Sequence, residues 1–435
     1  MTNKEHVLAQ IATALGAYYE KPAPDFRLGV DLIRVAEPHF NATEILAVVD
    51  ALLEGWLGAS WRVDLLEKTL ANFLGVSGVN VTSSGSGANL LAVTSACNFY
   101  DWRPGDEIAI GGLTFPTAVS ALLINNLIPV FLDSQLKTYT IDLDQLEQAL
   151  SPRLKGIFVV HTLGNPADMA AVMEFATNHR LIVIEDVCDG LGAKLRGQHL
   201  GSFGQLATCS FYAAHHITTG EGGAVAYNDS ELGTLLRSLR EWGRCNLNCL
   251  EEGYPDCATQ ERFKPDPDPY LNLYDKKFTY ENIGFNFKLT EFQAALGLVQ
   301  FNRLNEILEV RRRNFAYLSD GLSNYEDFFV LPASPAMSMP AWLMLPIFVN
   351  SRAPFSRNDI VNWLEEHKIE TRPVLSGNVL RQPAYRNVRC RIAGNLSRTD
   401  EIMQRGFCIG IHPKLDKRKL DFVLEVMATF LKRFL

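Results

Sequence analysis

The sequence predicts an α/β protein with a mainly parallel sheet in a large domain and a smaller C-terminal α/β domain. From about residue 78 onward, short apolar runs alternate with amphipathic helical patterns, as they do in βαβ units. Several of the runs are apolar without interruption, which is typical of strands buried on both faces. The chain has 435 residues, more than one hydrophobic core normally holds, so two domains are expected.

The N-terminal part and the large domain are predicted in this order. Residues 1–60 form a helical segment, in which Asn41 caps an amphipathic helix that runs to Trp56. Residues 61–315 form the large domain. Its predicted strands are GVNVTSS, EIAIGG, IPVFLD, KGIFVVHT, LIVIED, TCSFYA and GGAVAY.

Residues 243–285 interrupt the alternation with three cysteines and a polar, proline-rich stretch. A long excursion of this kind is usually functional or disordered, so we treat it as an insertion in the large domain. A single helix is predicted over 289–315. The small domain is predicted over 316–435, with AWLMLPIFV as a strand and SRNDIVNWLEEHK and LDFVLEVMATFLKR as helices.

Composition excludes several classes of protein. The formal net charge is −8 and no Lys/Arg cluster stands out, which argues against a nucleic-acid ligand. No apolar run reaches the roughly 18 residues of a membrane span. The N-terminus lacks a signal-peptide pattern, so a cytoplasmic location is expected, where disulfides are rare. Buried, unpaired thiols are therefore expected at Cys97, Cys209, Cys390 and Cys408.

Glycine, polar and aromatic residues follow the predicted strands at the edge where ligands bind in parallel sheets. Gly85 and Ser86 lie between a strand and a helix start, a suitable place for an anion. Asp186 ends an apolar strand, where a carboxylate can cap a helix or pair with a protonated ring nitrogen. Phe115 follows another strand, where its ring can stack on a flat cofactor. Together these residues describe a pyridoxal phosphate site.

The order and wording of these segments resemble the sugar-nucleotide aminotransferases of the DegT/DnrJ/EryC/StrS family. The similarity covers roughly residues 50–435. It rests on Asp186 and on the segments SFYAAHHITTGEGGAV and IGFNFKLTEFQAALG. The resemblance implies the fold type I of pyridoxal phosphate-dependent transferases, the aspartate aminotransferase kind, and a homodimer with shared sites.

His215 stands where most members of that family have the lysine that binds the cofactor covalently. The segment resembles the histidine-bearing branch, the 3-dehydrases of nucleotide-linked 4-keto-6-deoxyhexoses, which use pyridoxamine 5'-phosphate. The resemblance implies that His215 is the catalytic base and that the substrate is a nucleotide sugar of deoxysugar synthesis, for lipopolysaccharide or a similar glycan. His216 is expected to have mainly a packing role, because one of two adjacent strand residues points away from the site.

The resemblance also assigns the remaining cofactor contacts. Asp186 is expected to pair with the pyridine nitrogen, and Asp189 to lie near the ring hydroxyl. Asn286 corresponds to a residue that reaches the phosphate in the neighbouring subunit. The phosphate is expected to lie against Gly85, Ser86 and Ser210.

Four cysteines form a second candidate site: Cys188, Cys245, Cys249 and Cys257. Four thiolates can hold an iron–sulfur cluster or zinc, and the spacing alone does not choose between them. The resemblance favours a [2Fe-2S] cluster that takes electrons from a flavin/iron–sulfur reductase. In the cluster-bearing relatives one residue separates the first two cysteines of the later group, whereas three separate Cys245 from Cys249.

Two alternatives stay open at this point. A cluster-free 3-dehydratase regenerates its amine from glutamate and needs no cysteines. A protein that has lost the lysine could instead be a non-catalytic binding or regulatory protein on an aminotransferase scaffold.

Overall fold

A computed structural model describes residues 2–20, 25–244 and 262–435. Its strands are, in chain order, β1 (Gly78–Thr82), β2 (Glu107–Gly111), β3 (Ile128–Leu132), β4 (Leu154–Val160), β5 (Ile182–Asp186), β6 (Lys194–Leu195), β7 (Gln198–His199), β8 (Leu206–Ser210), β9 (Gly223–Tyr227), β10 (Phe329–Val330), β11 (Ser338–Met339), β12 (Met344–Val349), β13 (Thr371–Arg372), β14 (Arg391–Ile392) and β15 (Gly406–Gly410).

The described α-helices cover the sheets and connect their strands. They are α1 (Asn3–Tyr19), α2 (Ala42–Leu53), α3 (Trp61–Leu74), α4 (Gly85–Phe99), α5 (Pro116–Ile124), α6 (Leu146–Ala149), α7 (Met169–His179), α8 (Ser230–Arg240), α9 (Glu291–Asn302), α10 (Leu304–Leu322), α11 (Arg357–Glu366), α12 (Ser397–Arg405) and α13 (Lys417–Leu431). Within the described ranges, no helix is both long enough and apolar enough to cross a bilayer.

An eight-stranded sheet forms the centre of the large domain, in the order β1-β9-β8-β5-β4-β2-β3-β14. Its pairs are parallel except those of β9, which runs antiparallel to β1 and β8. Every residue of β1, β2 and β3 is buried, as uninterrupted apolar runs predict for strands covered on both faces. The predicted fold class is confirmed.

A four-stranded antiparallel sheet, in the order β10-β12-β15-β13, forms the smaller domain. The predicted strand AWLMLPIFV contains β12, and the predicted helix SRNDIVNWLEEHK contains α11. The predicted helix LDFVLEVMATFLKR overlaps α13, which begins three residues earlier, at Lys417. One strand of the C-terminal part, β14, pairs with β3 at the edge of the large sheet. The chain thus crosses between the two sheets more than once.

Three local predictions differ from the structure. The capped helix begins after Asn41 as predicted, but it ends at Leu53 rather than Trp56. The single helix expected over 289–315 is wrong: α9 and α10 meet at Arg303, whose ψ of 1° is not helical and whose guanidinium binds Glu44 at 2.8 Å. The strand predicted for TCSFYA ends at Ser210.

The N-terminal segment packs on both domains. Helix α2 contacts α9 of the large domain. Ile33 pairs in parallel with Ile369 of the small domain and belongs to its hydrophobic core. The 335 intervening residues are therefore closed into a loop by this contact.

Candidate active site

A cavity of about 1370 Å³ lies at the carboxyl ends of β4, β5 and β8, and residues of the small domain form its opposite wall. This is larger than the roughly 300–1000 Å³ of ordinary ligand sites, so a cofactor and a second molecule have room together. Eight residues predicted from the sequence line it: Gly85, Ser86, Phe115, Asp186, Cys188, Asp189, Ser210 and His215.

One end of the cavity is suited to a phosphate. Helix α4 begins there, with the hydroxyl of Ser84 accepting a hydrogen bond from the Gly87 N–H at 3.0 Å. A Cβ atom at Gly85 would lie 2.5 Å from the Cβ of Ser210, so only glycine fits this close approach. The N–H groups and the dipole of a helix N-terminus favour an anion.

Asp186 is buried at the end of β5 and is held by two donors. One carboxylate oxygen accepts from the Asn89 side chain at 3.1 Å, and the other accepts from the Cys188 N–H at 3.0 Å. A carboxylate fixed in this way suits a protonated ring nitrogen. The sequence reasoning missed Asn89, although it lies one helical turn after Gly85 and therefore on the same side of α4.

His215 lies in a loop, because β8 has already ended at Ser210. The base of this loop is closed by hydrogen bonds from the Phe211 N–H to the Gly222 carbonyl, at 2.8 Å, and from the Thr219 N–H to the Phe211 carbonyl, at 3.0 Å. The His215 N–H donates to the Tyr212 carbonyl at 3.0 Å. The ring therefore projects from a tight turn into the cavity.

The electrostatic surroundings of His215 favour the neutral ring. Burial, together with the charge of Arg311, lowers the pKa of His215 to about 4. Burial and the nearby charge of Asp186 raise the pKa of Asp189 to about 7. The His215 Nδ1 lies 3.6 Å from an Asp189 carboxylate oxygen, just beyond a direct hydrogen bond. A neutral imidazole beside a carboxyl group is equipped to accept a proton.

His216 does not line the cavity. Its ring is buried and its Nε2 bonds the Ala341 carbonyl at 2.7 Å, which ties the loop to the chain that enters the small domain. This is the packing role expected for it, though the loop, rather than strand alternation, separates the two histidines.

His161 also lines the cavity. Its Nδ1 accepts from the Ala167 N–H at 3.1 Å, so Nε2 carries the hydrogen that faces Glu185 at 3.1 Å. Glu185 also accepts backbone N–H groups of Gly201, Phe203 and Gly204. These hydrogen bonds hold the ring of His161 in one orientation at the wall of the cavity. No local sequence pattern indicates this role.

The residues that line this cavity, within the ranges the structure describes, include no lysine. A covalent bond to an aldehyde cofactor requires the amine of a lysine side chain. The contacts expected from the phosphate end of the cavity, Asp186 and Phe115 require no covalent bond. The residues present therefore fit an amine-form cofactor, pyridoxamine phosphate, that is held by noncovalent contacts.

Asn286 lies outside the cavity. It is exposed, and its side-chain oxygen accepts from the Lys288 ammonium at 2.7 Å. Its predicted contact with the cofactor phosphate in the neighbouring subunit stays a prediction.

The candidate metal site is described in part. Cys188 lines the cavity next to Asp186, and burial, reinforced by Asp186, raises the pKa of its thiol. Cys245, Cys249 and Cys257 lie outside the described residues. Among residues 2–20, 25–244 and 262–435, no group of three or more His, Cys, Asp and Glu side chains could hold a metal ion.

Comparison with known proteins relates this site to one family. A model of the DegT/DnrJ/EryC1/StrS aminotransferase family matches residues 38–428. The chain is 38% identical to the lipopolysaccharide biosynthesis protein RfbH of Salmonella typhimurium, over 98% of both chains. It is 36% identical to the dTDP-4-dehydro-2,6-dideoxy-D-glucose 3-dehydratase of Saccharopolyspora spinosa, over 99% of this chain and 92% of that one.

A solved structure shares the fold. The GDP-4-keto-6-deoxy-D-mannose-3-dehydratase of Escherichia coli, with bound hydrated PLP, superposes with a TM-score of 0.82 at 23% identity, covering 91% of this chain and 99% of that one. The extent of the family match and the two full-length relatives agree with the cavity built from Asp186 and the α4 N-terminus. The chain belongs to the DegT/DnrJ/EryC1/StrS aminotransferase family.

Proposed function

We propose that this protein is a pyridoxamine phosphate- and iron–sulfur-dependent 3-dehydrase that removes the C3 hydroxyl of a nucleotide-linked 4-keto-6-deoxyhexose in deoxysugar biosynthesis. The observation that carries the proposal is His215, which projects into a cavity lined by no lysine among the described residues. Relatives that are named as 3-dehydratases of nucleotide-linked deoxysugars support the reaction class.

Several residues of the cavity have a task in this reaction. When bound, pyridoxamine phosphate supplies an amine for the 4-keto carbon of the sugar and a ring that accepts electrons. The α4 N-terminus and Ser210 hold the phosphate, and Asp186 keeps the ring nitrogen protonated. His215 would accept a proton from the cofactor methylene and donate it to the C3 hydroxyl, which would then leave as water. Asp189, whose carboxylate lies 3.6 Å from the His215 Nδ1, would lie near the ring hydroxyl of the cofactor.

The deoxygenated product requires two electrons and two protons beyond the dehydration. We assign the ligation of a [2Fe-2S] cluster to Cys188, Cys245, Cys249 and Cys257, and a flavin/iron–sulfur reductase as the electron source. When bound, such a cluster supplies electrons one at a time. What supports the assignment is the position of Cys188, a soft ligand on the cavity wall two residues from Asp186.

The noncovalent cofactor is tested by chemical reduction. Borohydride treatment of the protein loaded with pyridoxal phosphate is expected to leave no pyridoxyl group on a residue of the cavity, because no lysine is among the described residues that line it. Mass spectrometry of the intact protein and its peptides measures this. A reduced pyridoxyl adduct on any lysine near the cavity would contradict the proposal.

A homodimer with composite sites is part of the proposal. Asn286→Ala is expected to weaken retention of pyridoxamine phosphate in the dimer, since the exposed amide then no longer reaches the neighbour's phosphate. Cofactor content after gel filtration measures the loss, and Asn178→Ala, an exposed asparagine on α7, is the matched control. Full retention by Asn286→Ala, or a competent monomer in sedimentation, would count against shared sites.

A further inference from the structure

The small-domain wall of the cavity carries a group of arginines that the proposed chemistry does not use. Arg34, Arg357 and Arg372 all line the cavity. The side chains of Arg34 and Arg372 are 57% and 49% exposed, and so are available to a ligand. Asp186 and Asp189, in contrast, lie at the cofactor end. The cavity is therefore acidic where the ring is expected and basic at the opposite wall.

Arg34 reaches this wall because the N-terminal segment is bound to the small domain. The Ile33 N–H donates to the Lys368 carbonyl at 2.7 Å, and the Glu370 N–H donates to the Ile33 carbonyl at 2.9 Å. The ring of His412 bonds the Arg34 carbonyl at 3.0 Å. These contacts fix the backbone on both sides of Arg34, whose guanidinium is exposed at the cavity and has a distant carboxylate partner, Glu37, at 3.9 Å.

Glu370 lies between Arg372 and the backbone that carries Arg34. One oxygen of its carboxylate accepts from the Val35 N–H at 2.9 Å, and the other pairs with the Arg372 guanidinium at 2.5 Å. Burial opposes ionisation of Glu370, but these hydrogen bonds and the charges of Arg372 and Arg34 outweigh it and lower its pKa. Glu370 thus neutralises one of the two guanidinium charges, and Arg357 adds a further positive charge to the same wall.

We propose that Arg34 and Arg372 form the subsite that binds the diphosphate of the substrate's nucleotide, with Glu370 positioning both. This inference rests on the proposed function, because it takes a nucleotide sugar as the ligand. Guanidinium groups bind phosphate oxygens in bidentate geometry, and a diphosphate brings negative charge to a wall on which three arginines face one carboxylate, Glu370. The volume of the cavity leaves room for it beyond the cofactor.

The inference gives the N-terminal segment a function. Arg34 precedes residues 38–428, the part that matches the family. The subsite is thus assembled in part by a segment that precedes the residues matched by the family model and that pairs with Ile369, just before β13 of the small domain. Substrate recognition would differ here from members of the family that lack the segment.

The test measures binding of CDP, dTDP and GDP to the protein loaded with pyridoxamine phosphate, by titration calorimetry. Arg34→Gln and Arg372→Gln are each expected to weaken the best of these ligands by about tenfold to a hundredfold, the effect of losing a charged hydrogen-bonded contact. Arg34→Lys should lose less. Arg27→Gln is the matched control, since Arg27 is an exposed arginine of the same segment that pairs with Asp31 and does not line the cavity.

Cofactor affinity separates this role from a structural one, because the phosphate end of the cofactor site lies elsewhere and should keep its affinity in all the variants. If Arg34→Gln fails to fold, Arg372→Gln decides the question. Unchanged diphosphate affinity in a folded Arg34→Gln or Arg372→Gln variant overturns the subsite. Failure of the unmodified protein to bind any of the three nucleotides would instead overturn the nucleotide-sugar substrate, and with it the proposed function.

Discussion

His215→Asn is expected to slow solvent exchange of the pyridoxamine methylene proton by about 10²–10⁴-fold, the usual effect of removing a positioned general base. The side chain of asparagine is similar in size to that of histidine, but its amide does not accept a proton at neutral pH. Binding of pyridoxamine phosphate should persist, because Asp186 and the start of α4 make their contacts without His215. Exchange of deuterium into the bound cofactor, followed by mass spectrometry or NMR, gives the rate.

The pH dependence of this exchange provides a second measurement. A group whose pKa is lowered stays unprotonated until the pH falls close to that lowered value. With a pKa of about 4 for His215, the ring remains a base at neutral pH, and its protonation should reduce exchange only as the pH approaches 4. This acid limb should disappear in His215→Asn.

His179→Asn is the matched control, since His179 is exposed at the end of α7 and away from the cavity. It should exchange the proton at the unmodified rate. If His215→Asn also exchanges the proton at that rate, the base is another residue. The proposal that His215 takes over proton transfer at the family's lysine position would then be wrong.

Replacing any one of Cys188, Cys245, Cys249 and Cys257 with serine is expected to remove the visible iron–sulfur absorption and abolish reductive turnover. A serine hydroxyl is a hard, weakly acidic ligand and a poor substitute for thiolate. Exchange of the methylene proton should largely survive, because dehydration precedes the transfer of electrons. The paired measurement is iron and sulfide content together with both half-reactions, on protein purified without oxygen.

Cys188→Ser is the most informative of these variants. The backbone N–H of Cys188 donates to Asp186, and serine retains this contact. Cys390→Ser, at a partly buried cysteine outside the set, is the control and should keep the absorption. Full reductive activity without iron in Cys245→Ser would defeat the cluster and favour the glutamate-using reaction, and one equivalent of zinc would indicate a structural site.

Features that depend on local pattern were predictable from the sequence. Buried strands are recognisable as apolar runs in the sequence. The cap of α2 is predictable because Asn41 and Glu44 lie three residues apart. Asp186 was found because a carboxylate at the end of such a strand is conspicuous. The edge of the sheet then brought Gly85, Asp186 and Ser210 together, as parallel topology requires.

Features that depend on distant contacts were not predictable in this way. The interruption at Arg303 depends on a partner, Glu44, that is 259 residues away in the chain. The site of Arg34 likewise depends on Ile33 pairing with Ile369. Neither contact leaves a periodic signal, because each is decided by the packing of one domain on a segment from elsewhere.

The pairing of Ile33 with Ile369 has a consequence for synthesis of the protein on the ribosome. The partner of this early segment is made only when more than four-fifths of the chain has been translated, and β14, at the edge of the large sheet, follows later still. Until that point, apolar residues such as Phe26, Leu28 and Ile33 lack the core into which they finally pack. Nascent chains with exposed apolar segments are prone to aggregation, so a chaperone that shields the first 35 residues would raise the yield of folded protein.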